Sequence, residues 1–234
     1  LKKHIIVGDI HSNHICLTKI LNKYDPEEYN YIFLGDYCDY RNENPRENSN
    51  YMQVILSVMA VVEHWGGIAL LGNHDDKLKR WFAGNKVDIK EGLSETIYDI
   101  QNTVSPELVP SIKEFLNGLP ICHQQDINGM HWKFAHAYNP YEQEIFARST
   151  ESTPREWRKM HEFCIYGVPR TPEGERTLWW EHDKYLDLIQ EGHVKIAGHY
   201  HTVVVGPKYM VLDATPGIAS YVIEDDLLEI WKRD

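Results

Sequence analysis

Aspartate, asparagine and histidine recur in five short runs of this chain: Gly8-Asp9-Ile10-His11, Gly35-Asp36-Tyr37-Cys38-Asp39, Gly72-Asn73-His74-Asp75, Ala135-His136-Ala137 and Gly198-His199-Tyr200-His201. Oxygen and imidazole donors suit borderline-to-hard divalent ions, with manganese first and iron, zinc or nickel as alternatives. Asp9 and His11 are two apart, and in extended chain such residues project to one side. Glycine opens four of the runs, letting the backbone turn sharply and approach a ligand. Any one run alone is an ordinary turn. Five in order, each behind an apolar stretch, predict one metal-dependent site.

The stretches in front of these runs are the elements that must position them. Ile5-Ile6-Val7, Tyr31-Ile32-Phe33-Leu34 and Ile68-Ala69-Leu70-Leu71 read as strands, while 13–23 and 50–64 show helical spacing. That is β-α-β-α-β, which implies parallel strands with helical crossovers. Sites in open α/β sheets form at the carboxyl ends of strands, where these runs fall. Residues 76–118 read as mostly helical. Strands are expected at 131–135, 194–197, 202–205, 209–212 and 218–223. Residues 41–50, 148–155 and 169–176 read as polar loops.

A chain of 234 residues with 42% apolar and 25% charged residues is expected to fold as one domain over 1–234. The longest apolar run, Val54 to Val62, is broken by Ser57 and falls far short of the roughly 20 residues of a membrane span. Residues 1–7 lack the apolar region of a secretory signal. The four cysteines form no C-x-x-C pair and read as free thiols, so a cytoplasmic location is expected. A net charge of −11 argues against gripping duplex nucleic acid by a basic face but leaves a small phosphate or a strand end open. Oligomeric state is not legible.

In this order the five runs resemble the calcineurin-like metallophosphoesterase superfamily, from residue 4 to about 223. The resemblance implies an α/β fold, a four-layer α/β/β/α sandwich of two mixed sheets flanked by helices, with a dinuclear centre between the sheets. By motif, Asp9, His11, Asp36 and His201 would hold one ion, and Asp36, Asn73, His136 and His199 the other, Asp36 bridging. His74 would sit beside the scissile phosphate, and Asp75 would either orient it or cap a helix at 76–83. Two such ions lower the pKa of a shared water and neutralise phosphoryl oxygens.

The match departs at Asp39-Tyr40-Arg41, where protein-phosphatase members carry Asp-Arg-Gly. Arg41 is a candidate catalytic and phosphate contact all the same. Tyr138 stands where the family often has Gly. Asn73 to Trp81, Gly92-Leu93-x-x-Thr96, Phe163 to Gly167 and Val211-Leu212-Asp213 are similar to the phosphatase module of bacterial polynucleotide kinase-phosphatases, which implies action on 2′-phosphates and 2′,3′-cyclic phosphates of RNA ends. No phosphate-binding loop of a kinase accompanies it. Asp39 and Asp213 are candidate carboxylates behind the ligands. Arg80, Arg148, Arg170 and Arg176 are candidate phosphate clamps. The pair Trp179-Trp180 could stack on a base or anchor packing. The substrate would be a phosphoserine or phosphothreonine protein, a nucleotide or dinucleotide, or an RNA end. The competing readings are a non-catalytic scaffold of the same fold and a metal-binding or redox protein. The first is opposed by the complete ligand set, the second because it leaves His74 without a role.

Overall fold

The computed structural model describes residues 2–39, 50–139, 154–169, 172, 174–175 and 177–232. Within them the chain runs through β1 (Lys3–Val7), α1 (His14–Lys23), β2 (Tyr29–Phe33), α2 (Tyr51–Trp65), β3 (Ile68–Ala69), α3 (Asn73–Phe82), α4 (Glu91–Asn102), α5 (Val109–Gly118), β4 (Cys122–Ile127), β5 (Met130–Ala135) and α6 (Pro154–Tyr166). A short 3-10 turn at Trp179–Glu181 leads to α7 (Asp183–Leu186), β6 (His193–Ala197), β7 (Val203–Val205), β8 (Tyr209–Leu212), β9 (Ile218–Val222) and β10 (Leu227–Trp231).

Two five-stranded mixed sheets result, ordered β10-β9-β1-β2-β3 and β4-β5-β6-β8-β7. β1 pairs β2 and β2 pairs β3 in parallel, as the alternation predicted. β9 returns antiparallel on β1. The side-chain period of two then sorts each strand between layers. Ile6, Ile32, Leu34 and Leu70 of the first sheet meet Phe134, Val194, Ile196 and Leu212 of the second in one core. Ile5, Val7, Tyr31 and Phe33 face the other way, onto α1, α2, α4 and α5. The outer face of the second sheet packs Ala197 and Val211 against Trp179 and Trp180. These three cores separate four layers, helix, sheet, sheet and helix. Each fully buried aliphatic side chain contributes about 1.5–3 kcal/mol.

Several elements differ from expectation. β3 is only two residues long. β4 and β10 were not anticipated. β4 reads Cys-His-Gln-Gln-Asp-Ile, without apolar alternation. It forms because Asn128 and Gly129, at φ 52° and 77°, make the tight turn that pairs it with β5. The helix expected at 76–83 begins at Asn73 instead, so Asn73 and His74 lie in its first turn. A further helix, α6, follows the polar stretch from Pro154.

Candidate metal centre

The β1, β2 and β3 ends lie side by side, and the loops that follow are clipped to one another. Ile10 and His11 donate their amides to the Asp36 carbonyl at 3.1 and 2.8 Å. The His74 amide donates to Asp36 Oδ1 at 2.9 Å. The His199 amide, from the second sheet, donates to both carboxylate oxygens of Asp9 at 3.1 Å. These contacts require close backbone approach. A Cβ on Gly72 would lie 2.2 Å from Asp36 Oδ1, and one on Gly198 would lie 2.0 Å from Asp9 Oδ1. His11, Asp36, Asp39, His199 and His201 all adopt positive φ, between 46° and 71°. Such left-handed backbone costs on the order of 1–3 kcal/mol at a non-glycine residue and gathers at functional sites.

Two donor sets meet at Asp36. In the first, donor atoms of Asp9, His11 and Asp36 all lie within 4.8 Å of one another, and all three residues are buried. His11 Nε2 stands 3.6 Å from Asp36 Oδ2 and 3.9 Å from Asp9 Oδ2. The second set is tighter. His136 Nε2 is 3.4 Å from Asp36 Oδ2 and 2.9 Å from Asn73 Oδ1. His199 Nδ1 is 2.8 Å from Asn73 Oδ1 and 3.2 Å from His136 Nε2. Donors that share one ion at about 2.1 Å stand about 3.0–3.4 Å apart; two of these separations fall in that range and two lie just below it.

Protonation supports the same reading. His136 Nδ1 lies 3.0 Å from the Leu34 carbonyl and His11 Nδ1 lies 3.1 Å from the Cys38 carbonyl. A carbonyl only accepts, so both rings donate through Nδ1, and in the neutral ring Nε2 turns its lone pair toward the carboxylates. Burial pushes the His136 pKa down although the Asp36 charge opposes it. For Asp36 burial acts upward, but the imidazoles of His136, His74 and His11 and the His74 amide outweigh it and hold the group below the usual carboxylate range. Neutral imidazole lone pairs facing an ionised carboxylate and an amide oxygen form a donor set that fits divalent cations.

His201 stands outside the 4.8 Å cluster, with its side chain 41% exposed. Its amide donates to Asp213 Oδ2 at 2.6 Å and its Nδ1 lies 3.6 Å from the same oxygen. Asp213 also accepts from the Thr215 amide and hydroxyl. Burial raises its pKa, and the Thr215 hydroxyl, the nearby His11 imidazole and the His201 amide together bring it below the ordinary value.

His74 does not meet Asp75. Its Nδ1 pairs with Asp39 Oδ2, while its Nε2 lies 4.0 Å from Asp36 Oδ2. Asp75 instead accepts amides from Gly72 (3.1 Å), Tyr37 (3.0 Å) and Cys38 (3.4 Å), so it caps α3 and ties the Asp36 loop to it. Burial, then the neighbouring Asp36 charge, raises its pKa. Thr96, of the Gly92-Leu93-x-x-Thr96 run, has a part that sequence alone did not reveal. Its hydroxyl accepts the Asp39 amide at 3.2 Å and braces the partner of His74. Arg80 is half-exposed, with Nη1 4.0 Å from Asp76 Oδ2. Arg41, Arg148, Arg170 and Arg176 lie outside the described residues. Trp179 and Trp180 are buried against Tyr138, Tyr209 and Tyr200, as packing anchors rather than stacking platforms.

The family profile described as calcineurin-like phosphoesterase matches residues 3–228. A bis(5′-nucleosyl)-tetraphosphatase [asymmetrical] of Halalkalibacterium halodurans is 28% identical over 132 residues, 50% of this chain and 50% of that protein. The protein of the same name from a Geobacillus species is 27% identical over 209 residues, covering 82% of this chain and 78% of its own length. The chain thus spans about half the length of the first of these relatives. Among solved structures, a protein provisionally described as a diadenosine tetraphosphatase superposes with a TM-score of 0.63 at 15% identity, over 98% of this chain and 92% of its own. A serine/threonine phosphatase from Saccharomyces cerevisiae gives 0.58 at 13% identity, over 100% and 80%. At such identities these two likenesses speak for the fold.

Proposed function

Because the chain belongs to the calcineurin-like phosphoesterase family, we propose that it hydrolyses phosphoric esters and anhydrides of nucleotides, with two divalent ions held on either side of Asp36. The observation that carries this is the convergence of two donor sets on one carboxylate oxygen, Asp36 Oδ2, from four different loops. Asp9, His11 and Asp36 would hold one ion, with His201 the fourth ligand that the family resemblance implies. Asp36, Asn73, His136 and His199 would hold the other. Bound there, the ions supply Lewis acidity, bringing the pKa of a water toward neutrality and offsetting charge on the phosphoryl oxygens.

The chain's own residues define the rest. Asp39 accepts a hydrogen bond from His74 Nδ1 and orients the ring, so that in the imidazolium form, protonated on both nitrogens, Nε2 faces the centre and passes its proton to the leaving oxygen. Thr96 holds Asp39 from behind. Asp213 fixes the turn that carries His201. Asn73, His74 and His199 are only half-buried, so substrate can approach from their side. A nucleotide is preferred over a phosphoprotein or an RNA end because the relatives above are named as bis(5′-nucleosyl)-tetraphosphatases.

The test is reconstitution of metal-free protein with manganese, nickel, zinc or magnesium. Hydrolysis of p-nitrophenyl phosphate, bis-p-nitrophenyl phosphate and diadenosine tetraphosphate is then followed. Turnover should need a divalent ion, vanish in Asp36→Asn, and fall by about 10²–10⁴ in His74→Ala. Two bound ions with no turnover of any of the three would favour the scaffold reading.

A further inference from the structure

Resting on the nucleotide reading above, the geometry points to a subsite for the outer phosphates and base of the substrate, on the exposed strip formed by α3 and α6. Residues 73, 76 and 80 recur at helical spacing and share one stripe of α3. Asn73 at its start is a candidate ligand. Arg80 follows about 10 Å further along the axis, at 1.5 Å per residue.

α6 lies against this stripe. The Tyr166 hydroxyl donates to Asp76 Oδ2 at 2.9 Å, and His161 Nε2 lies 3.4 Å from Asp76 Oδ1. The Trp157 ring is tilted 30° over His161, with centroids 5.1 Å apart. The carboxyl end of α6 reaches the centre itself. The Cys164 carbonyl accepts the amide of Ala137, which follows His136. Gly167 packs so closely on Tyr200, which follows His199, that a Cβ there would lie 2.4 Å from the Tyr200 hydroxyl. The strip therefore begins at the metal ligands and runs outward.

Its outer surface carries groups complementary to a nucleotide. Trp157 is 47% exposed and Tyr166 is 43% exposed, two aromatic faces on one helix. Arg80 is exposed beside Tyr166, one turn of α3 beyond Asp76. The Asp76 carboxylate is buried under Tyr166 and His161, which engage it within the layer; the Arg80 guanidinium meets it only at 4.0 Å and stays at the surface. A helix-to-helix clasp needs Asp76, His161 and Tyr166. It does not need an exposed indole one turn further out. An aromatic face accepts any base by stacking, and an arginine binds phosphate oxygens in pairs. A nucleoside polyphosphate cleaved at the centre would lay its remaining phosphates against Arg80 and its base against Trp157.

The test compares kcat/KM for diadenosine tetraphosphate, inorganic tripolyphosphate and p-nitrophenyl phosphate in the manganese-loaded protein. In Trp157→Ala the dinucleotide-to-tripolyphosphate ratio should fall about tenfold, and Trp157→Phe should recover most of it. In Arg80→Ala the tripolyphosphate-to-p-nitrophenyl-phosphate ratio should fall by a similar factor. If wild-type protein cleaves these substrates and both ratios stay at wild-type values in the variants, the subsite is wrong while the nucleotide hydrolase stands. If wild-type protein cleaves none of them, the hydrolase reading fails and this one with it.

Discussion

Alanine at position 198 tests the centre without removing a donor atom. The added Cβ would stand 2.0 Å from Asp9 Oδ1 and 3.1 Å from its Cγ, against an ordinary contact that begins near 3.4 Å. The carboxylate must retreat by about 1.4 Å to restore normal contact. It cannot do so freely, because both oxygens accept the His199 amide and the residue is buried. Misplacing a reacting group by about 1 Å costs roughly 10²-fold in rate, and overpacking of this kind costs about 1–3 kcal/mol. Gly198→Ala should therefore fold, with a melting temperature several degrees lower, bind manganese at least tenfold more weakly by calorimetry, and lose about 10²-fold in kcat/KM. Gly118→Ala is the control, since a Cβ there meets nothing within 4 Å. A folded Gly198→Ala protein with wild-type manganese affinity and turnover would show that Asp9 takes no part in the centre.

Manganese at a hundred times its dissociation constant should stabilise the protein by about 2.7 kcal/mol in denaturant titrations, and EDTA should reverse this. No shift would refute metal binding. Asp39→Asn should lower kcat more than it raises KM for p-nitrophenyl phosphate, because it disturbs the His74 ring without touching a donor atom. Equal effects on both would oppose the orienting role. Trp179→Ala should cost about 3–5 kcal/mol of stability as a core truncation, read from urea midpoints. A loss of nucleotide affinity without a loss of stability would instead make it a stacking residue. Burial acts to raise the Asp76 pKa, but hydrogen bonds from His161 and Tyr166 outweigh it and lower the folded-state value. Its contribution is thus present above the unfolded carboxylate pKa of about 4 and is lost as pH falls through the lower folded value. Asp76→Asn should cost about 1.5–3 kcal/mol at pH 7, and the gap to wild type should shrink toward pH 3. A gap that does not change with pH would assign the loss to packing.

What the sequence disclosed follows from which interactions are local. The first three strands and their carboxyl-end residues were legible because Ile5 to Val7 and Tyr31 to Leu34 alternate between two apolar cores, so each keeps a readable pattern. β4 was not legible from apolar pattern, since its half-buried positions carry histidine and glutamine. The signal that could have found it was Asn128-Gly129, which fixes a hairpin through left-handed backbone. Of the two roles the sequence left open for Asp75, the helix cap is the one formed and not the contact to His74, for a related reason. Asp75 is its neighbour in sequence, but in a first helical turn successive side chains point about 100° apart. The contact comes instead from Asp39, 35 residues away, across a loop clip that no local pattern encodes. The link from Asp76 to His161 and Tyr166 is equally non-local, and α6 itself follows a stretch that reads as polar loop.

The same non-local clips explain how a strained site can persist. Five candidate site residues hold left-handed backbone, and at about 1–3 kcal/mol each no single loop would keep them so. The loops instead form a closed circuit. Ile10 and His11 are bound to Asp36, Asp36 to His74, Asn73 to His136 and His199, and His199 back to Asp9. His11, Asp36 and His199 are thus each held by a neighbour that is itself held, while Thr96 holds Asp39 and Asp213 holds His201 from beside the circuit. Substitutions around this circuit should not act independently. Gly198→Ala combined with Asp75→Asn should differ from the sum of the two single changes by about 0.5–3 kcal/mol in unfolding free energy, because one loosens the Asp9 side of the circuit and the other the Asp36 side. Strict additivity in that double-mutant cycle would mean that the loops are strained separately, and that the two ion sites are built as independent units rather than as one frame.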